Sequence, residues 1–200
     1  MNQHLQETLL NRRSIYAIGK ESPISDEKIQ EIVEFAINHT PTAFNSQTGR
    51  VVLLLGAEHE ALWDLTEAEL RKVSSQADFT STEQKMAAFK NGYGTVLFFE
   101  DNDVVEGLQE KFPGYADKFP DYALQSSGIL QYIIWTAFAK EGLGATVQHY
   151  SPVIDKPVQE KWDIPGNWQL VAQMPFGNVL KDAGEKEFAS MDDRLKVFKS

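Results

Sequence analysis

Three short stretches of this chain carry side chains that could hold a ligand. The first is Arg12-Arg13-Ser14, where two guanidinium groups and a hydroxyl follow one another. Such a run concentrates hydrogen-bond donors, and bidentate cationic donors suit a phosphate. It also describes an exposed basic helix end, where arginine complements the helix dipole. The second stretch is the loop Thr40-Pro41-Thr42-Ala43-Phe44-Asn45-Ser46-Gln47-Thr48-Gly49. Its Asn45 and Gln47 amides both donate and accept, which suits the edge of a flavin or nucleobase ring, although a solvated turn has the same composition. The third is Gly142-Leu143-Gly144-Ala145-Thr146-Val147-Gln148-His149-Tyr150. Its Gly-x-Gly opening is not a dinucleotide fingerprint, because Val147 stands where the third glycine belongs and the segment follows a helix, not a strand. What remains is a turn that delivers Gln148, His149 and Tyr150, and His149 can equally be read as a structural histidine.

Other chemistries lack their groups. His4, His39 and His59 have no metal-ligand spacing with one another or with His149, so no metal site is read. No G-x-S-x-G, Walker or H-E-x-x-H pattern occurs. The absence of cysteine excludes disulfides, iron–sulfur ligation and thiolate catalysis. With 19 Lys and Arg against 29 Asp and Glu, the net charge of −10 repels nucleic acid and anionic membranes. A phosphate-bearing ligand must therefore be held by a local cationic cluster, which makes the paired arginines informative. The acidic pairs Asp192 with Asp193 and Glu67 with Glu69 read as solvated faces. The longest apolar runs, 51–55 and 132–135, are too short to cross a bilayer. The first residues show no signal-peptide pattern, so a cytoplasmic protein is expected.

The elements that must position these stretches follow from periodicity. Leu5, Leu9 and Leu10 predict a first helix ending near residues 11–13. Ser25 with Asp26 and Glu27 marks a second helix start, continued by Ile29, Ile32, Val33, Ala36 and Ile37. Residues 50–55 form a continuous β-favouring run, read as a strand buried on both faces. A helix over roughly 58–73 follows, with Leu62, Leu65, Leu70 and Val73 inward. Ser81 and Gln84 have capping-box spacing before a helix carrying Met86 and Phe89. A second buried strand is read at 95–99. The most hydrophobic helix, 122–140, carries Leu124, Ile129, Leu130, Ile133, Ile134, Ala137 and Phe138 on more than one face, predicting a central, largely buried element that stops at Gly142. A short helix with Pro157 in its first turn, a strand at 169–174 and a weaker strand at 195–198 complete the chain. About four strands separated by helices make residues 1–200 one α+β domain.

In order and spacing, the Arg-Arg-Ser turn, the Pro-Thr-Ala-Phe-Asn-Ser-Gln loop before the first strand, and the glycine turn after the long helix resemble the nitroreductase flavoprotein family. Within it the chain resembles a compact subgroup marked by Lys-x-x-x-Phe-x-x-Gly-Tyr-Gly (Lys85, Phe89, Gly92, Tyr93, Gly94) and by Gln148-His149-Tyr150. The stretches Lys186-Glu187-Phe188 and Asp193-Arg194-Leu195-Lys196-Val197-Phe198 match too, so the resemblance spans nearly the whole chain. It implies an α+β fold with a central, mostly antiparallel sheet flanked by helices, in a domain-swapped-style homodimer with FMN at the subunit interface. By position, Arg12, Arg13 and Ser14 would hold the FMN phosphate and ribityl chain, with Tyr16 beside them. Lys186 and Arg194 would correspond to the family's C-terminal cations, and which of them meets the phosphate stays open. Pro41, Thr42, Asn45 and Gln47 would reach the isoalloxazine ring from the partner subunit, and Val147, Gln148, His149 and Tyr150 would line its other side.

Many family members carry a basic residue where this chain has Tyr16, and Glu-Gly where it has His149-Tyr150. The implied activity is transfer of electrons from NAD(P)H, through FMN, to a nitroaromatic or quinone-type small-molecule acceptor. His149 and Tyr150 are candidates for shaping the acceptor pocket, and no acid–base residue is nominated. Two other classes stay open: a flavin-binding regulatory or stress-response protein with slow, incidental redox turnover, and a flavin-free interaction module.

Overall fold

A computed structural model describes residues 2–74 and 79–199. Helix α1 (Gln3–Asn11) is capped by Asn2, whose side chain accepts from the His4 and Leu5 amides, and leads to the short strand β1 (Ile18–Gly19). Helix α2 (Asp26–His39) starts as its sequence requires: Ser25 accepts from the Lys28 amide, and Asp26 and Glu27 sit in the first turn. Such a cap is worth about 1 kcal/mol. Strand β2 (Gly49–Leu55), helix α3 (Ala57–Val73), helix α4 (Phe79–Lys90) and strand β3 (Gly94–Asp101) follow. The second half comprises α5 (Asn102–Lys111), α6 (Phe119–Lys140), β4 (Leu143–Ala145), α7 (Asp155–Lys161) and β5 (Trp168–Val179). No described helix is long and apolar enough to cross a membrane.

The sheet runs β1-β5-β3-β2, with β4 also paired to β5, and every strand pairing is antiparallel. All eight residues of β3 are buried, because strands flank it on both sides and helices cover both faces. Side-chain alternation sorts them. Val96 and Phe98 pack with Ala172, Met174 and Phe176 of β5 against α2 and α6, whereas Leu97 and Phe99 pack with Leu62 and Trp63 of α3, Met86 and Phe89 of α4, and Val158 of α7. A bulge sets this sorting on β5. Phe98 pairs with Ala172 and Phe99 with Leu170, so Val171 is the extra residue, and Leu170 faces the α3 layer although Ala172 faces α6.

Several expectations are corrected. Residues 195–198 form no strand: they have no pairing partner, and Leu195, Val197 and Phe198 are exposed. Val73 faces solvent instead of the core, and the inner face of α3 is His59, Leu62, Trp63 and Thr66. Helix α4 already begins at Phe79, whose ring is buried, so Ser81 lies within the helix and not at its cap. On α6, Leu130, Ile134 and Phe138 are buried, but Leu124 and Ile129 are exposed, so this helix covers the core with one face and leaves an apolar face outward. The Gly-Tyr-Gly signature is structural: a Cβ at Gly92 would meet the Phe176 carbonyl oxygen at 2.9 Å, and the Tyr93 amide donates to that same oxygen at 2.7 Å.

The α3 layer contains one buried titratable ring. His59 Nδ1 lies 2.8 Å from Thr95 Oγ1 and Nε2 lies 3.3 Å from the Lys90 carbonyl oxygen, while Trp63 Nε1 donates to Thr95 Oγ1 at 3.0 Å. With Trp63 occupying it as acceptor, the Thr95 hydroxyl donates to Nδ1, and a neutral ring with its proton on Nε2 satisfies every partner. Burial accordingly pushes the His59 pKa down to about 4 from 6.5. Because the folded value lies below the unfolded one, this group's contribution is complete above pH 6.5 and is lost as the pH falls through that value toward 4, an effect of at most about 3 kcal/mol. Urea denaturation midpoints should therefore fall more steeply between pH 7 and 4.5 for the native protein than for His59→Gln; parallel profiles would contradict a buried neutral histidine.

Candidate functional site

Where α1 ends, the backbone of Arg12 turns extended (φ −69°, ψ 109°), and an extended chain sends successive side chains apart. The Arg12 guanidinium lies over the Trp135 ring of α6 at 4.3 Å, with Tyr132 at 5.5 Å, and its buried Nε makes no hydrogen bond. Such stacking on a partly desolvated face is worth about 1–2 kcal/mol. Arg13 instead donates from Nη2 to the Gly184 carbonyl at 2.8 Å. Arg13, Ser14 and Tyr16 line a cavity of ≈ 290 Å³ together with Lys181, Asp182 and Glu185. The two cations and two carboxylates balance there, so a phosphate in this cavity would have to be held by directed bonds from Arg13, Ser14 and Lys181 and not by net charge. The donor set of Arg13, Ser14 and Lys181 fits a phosphate monoester, and the Arg12 guanidinium, with an unbonded Nε, lies on the other side of the same turn.

Of the sequence candidates, Arg13, Ser14 and Tyr16 share the cavity, whereas Arg12 lies on the α6 side of the same turn. Lys186 and Arg194 do not line it: both are exposed, Lys186 5.2 Å from the Phe188 ring and Arg194 donating its amide to the Met191 carbonyl. Lys181 takes the lining position, and no spacing in the sequence marks it.

The third stretch is bonded to the first. Gly142 takes φ +84°, the left-handed conformation that glycine adopts without strain, and ends α6 so that β4 can turn back along β5. Ser14 bridges Ala145, and the Ala145 carbonyl accepts from the Ile15 amide at 2.9 Å and from Trp135 Nε1 at 3.1 Å. Beyond β4, Gln173 of β5 holds the segment at two points. Its backbone exchanges hydrogen bonds with Gln148 at 2.7 and 2.9 Å, and its side-chain oxygen accepts from the Tyr150 amide at 2.9 Å. Gln148 is buried, its amide donating to Thr146 Oγ1 at 3.1 Å; Val147 and Tyr150 are half-buried and His149 is exposed. Tyr150 meets Trp63 edge-on at 5.9 Å, and burial, reinforced by Tyr16, raises its pKa to about 12, so the phenol stays neutral.

Loop 41–47 is positioned separately. Phe44, Asn45 and Gln47 all have positive φ (58°, 52° and 50°), a costly conformation for non-glycine residues that clusters at functional sites. Three contacts hold it. Thr42 Oγ1 accepts from the Gln47 amide at 3.1 Å; Arg50 donates to the Gln47 carbonyl at 2.7 Å while pairing with Asp101 at 2.8 Å; and Phe44 packs on Phe112 and Phe119 at 5.0 and 5.5 Å. Pro41, Asn45 and Gln47 are exposed. Thr42 and Gln47 line a second cavity of ≈ 120 Å³ with Glu100, Ser126 and Ser127. Ser126 and Trp135 are nine residues apart on α6, about 13 Å along its axis. Within one chain, therefore, residues 12–16 and 145–150 come together and loop 41–47 does not join them.

Two buried polar residues escaped the sequence reading. Gln173 looks like any strand residue until its clamp is seen. Glu100 is 3% exposed and neither carboxylate oxygen has a hydrogen bond of regular geometry, although the Thr48 and Ser127 hydroxyls lie near it. Burial raises its pKa to about 7; the Thr48 and Ser127 hydroxyls and Arg50 pull it down without reversing the shift. The acid that directly follows the buried run 95–99 was its only signal. No group of three or more His, Cys, Asp or Glu side chains is placed to hold a metal among the described residues. Removing the Gln173 clamp by Gln173→Leu leaves the Tyr150 amide without its acceptor, at a cost of about 1–3 kcal/mol; thermal denaturation should show a lowered Tm, and an unchanged Tm would contradict the clamp.

The chain is 37% identical over 188 residues to the putative nitroreductase HBN1 of Saccharomyces cerevisiae, covering 93% of each. Its structure superposes on the nitroreductase CinD of Lactococcus lactis in complex with chloramphenicol with a TM-score of 0.90 at 43% identity, covering 98% of this chain and all of that one, and on its complex with 4-nitrophenol at 0.89. A nitroreductase with bound FMN from Desulfitobacterium hafniense shares the fold at a TM-score of 0.74 and 17% identity, covering all of both chains. The model of the nitroreductase family matches residues 9–178, and with these relatives it shows that this chain belongs to the nitroreductase family.

Proposed function

We propose that the protein is an FMN-dependent oxidoreductase, working as a homodimer, that passes electrons from NAD(P)H to nitroaromatic or quinone-type acceptors. The observation that carries this reading is the bonded unit of Arg13, Ser14 and Ala145 through Tyr150. It joins phosphate donors to a neutral polar ring edge in a chain of net charge −10. The family relationship supports it, as do the nitroarene ligands, chloramphenicol and 4-nitrophenol, of the CinD complexes.

FMN, when bound, supplies the capacity to take and release a hydride. The chain's own groups do the rest. Arg13 and Ser14, with Arg12 from the other side of the turn and Lys181 from beyond β5, hold the phosphate. Gln148, His149 and Tyr150, fixed by Gln173, flank the ring, and the un-ionised Tyr150 offers a hydrogen-bond donor without placing a negative charge there. Pro41, Thr42, Asn45 and Gln47 complete the site from the second copy, whose positive-φ loop presents its amides outward. This division explains why the two halves lie apart in one chain.

Exposed apolar surface supports the dimer. Phe35, Leu124, Ile129 and Tyr132 on α2 and α6 are between 41% and 62% exposed. Residues 180–199, which contain no helix or strand, display Phe188, Met191, Leu195 and Phe198. A lone chain would leave these apolar side chains in water, and a second copy seated on α2 and α6 would cover them.

Anaerobic absorbance tests the redox reading. The purified protein should show a flavin spectrum that NADH or NADPH bleaches rapidly and a quinone or nitroarene restores; a flavin that stays oxidised would favour the regulatory flavoprotein, and no flavin after FMN addition would rule out both. For the phosphate assignment, the double variant Arg12→Ala, Arg13→Ala should lose most of its FMN on gel filtration. Retention of stoichiometric FMN would overturn that assignment.

A further inference from the structure

Glu100 stands between two cavities. The smaller, ≈ 120 Å³, lies under the Thr42 and Gln47 loop; Thr40, Arg50, Ser126 and Ser127 line it with polar groups, and Ile37 and Leu130 wall it with apolar ones. The larger, ≈ 340 Å³, is walled by Asn102, Glu106, Gln109 and Gln169 together with apolar residues of α5 and α6. Both cavities share the Glu100 side chain, which is 97% buried on the complement of its 3% exposure and has two oxygens free of protein hydrogen bonds. The neighbouring Thr48 hydroxyl is likewise buried; with Ser127 it lies close enough to lower the Glu100 pKa, but no hydrogen bond of regular geometry joins them. Buried polar groups of this kind are ordinarily satisfied by water, and the smaller cavity has room for a short chain of waters at roughly 10–15 Å³ of accessible volume each.

We propose that Glu100 is the proton reservoir of the acceptor site, passing its carboxyl proton over water in the smaller cavity to the acceptor beside loop 41–47 and regaining it from solvent through the larger one. This rests on the oxidoreductase reading above. Reduction of a quinone to the hydroquinone takes two electrons and two protons. A hydride originating in NAD(P)H brings both electrons and one proton; the second proton leaves Glu100 as its O–H bond breaks and an O–H bond forms on the acceptor oxygen, and the carboxylate is then reprotonated from bulk water.

The surroundings suit a group that exchanges its proton. Arg50 on β2 faces it but is already paired with Asp101, the like charge beside Glu100 on β3; Glu106 on α5 faces it across the larger cavity; α6 presents the hydroxyls of Ser126 and Ser127 beside apolar Ala123, Leu124 and Leu130, and β5 presents Gln169. Burial and the Asp101 charge keep the carboxyl protonated up to about pH 7, where it can both give up and recover a proton.

The test is Glu100→Gln, which preserves volume and cannot ionise. Infrared spectra of the wild-type protein, with or without FMN, should show a protonated-carboxyl carbonyl band that titrates near pH 7 and is missing from the variant. The variant should keep its FMN, lose about tenfold or more in quinone-reduction kcat at pH 6.5, and lack the wild-type decline above pH 7. Glu100→Asp should move band and rate break together, and supplies the test should the Gln variant not fold. An absent band in the wild type, a Gln variant with the wild-type pH profile, or a break that stays while the Asp band moves would overturn the proposal. A wild-type protein that binds no FMN would instead overturn the flavin reading.

Discussion

The Ala145 carbonyl is the joint on which the candidate site depends. It is buried at the end of a three-residue strand, pairs opposite Phe176, and accepts from both the Ile15 amide and the Trp135 indole. One oxygen thus ties the arginine turn, the long helix and the inner edge of the sheet. Arg12 lies over the same Trp135 ring, so the indole orients a cation with its face while its N–H holds the backbone. Moving any one of these elements moves Arg13 and Ser14 relative to Gln148 and Tyr150. A site built on loops alone would lack this rigidity.

The second constraint is separation. Helix α6 carries Trp135 under Arg12 and Ser126 and Ser127 under loop 41–47, and its rigid length keeps the two groups apart within a chain. The outward residues Leu124, Ile129 and Tyr132 lie on this same helix. Separated candidate groups and exposed apolar side chains on α6 thus belong to one geometry, and in the proposed homodimer a second copy would answer both.

The elements legible in the sequence were those long enough to show a period. Helices α2 and α3 and strands β2 and β3 emerged because Ile29, Val33 and Ala36, or the run 95–99, repeat at spacings set by backbone geometry. Strands β1 and β4, of two and three residues, show no such period, and β4 lay hidden in what reads as a glycine turn. Helix α5 was missed because Val104, Val105 and Leu108 stand among charges with Gly107 between them. The run 195–198 has strand-like composition, but a strand needs a partner edge, which composition cannot reveal. Among the candidate residues, Arg12, Arg13, Asn45 and Gln47 stand out by their chemistry, whereas Gln173 and Glu100 are placed only by the register of β5 and β3, and Lys181 by the segment that follows β5.

The most direct test of a site shared between two copies is complementation. One variant would carry Arg12→Ala with Arg13→Ala, the other Asn45→Ala with Gln47→Ala, and FMN content would be measured in the purified mixed dimer beside each parent. If the phosphate donors of one chain meet the loop of the other, the mixed dimer contains one intact site, and FMN returns to about one per two chains although both parents have lost it. If each site belongs to a single chain, both sites of the mixed dimer are damaged, and a mixed dimer as poor in FMN as its parents would contradict the account.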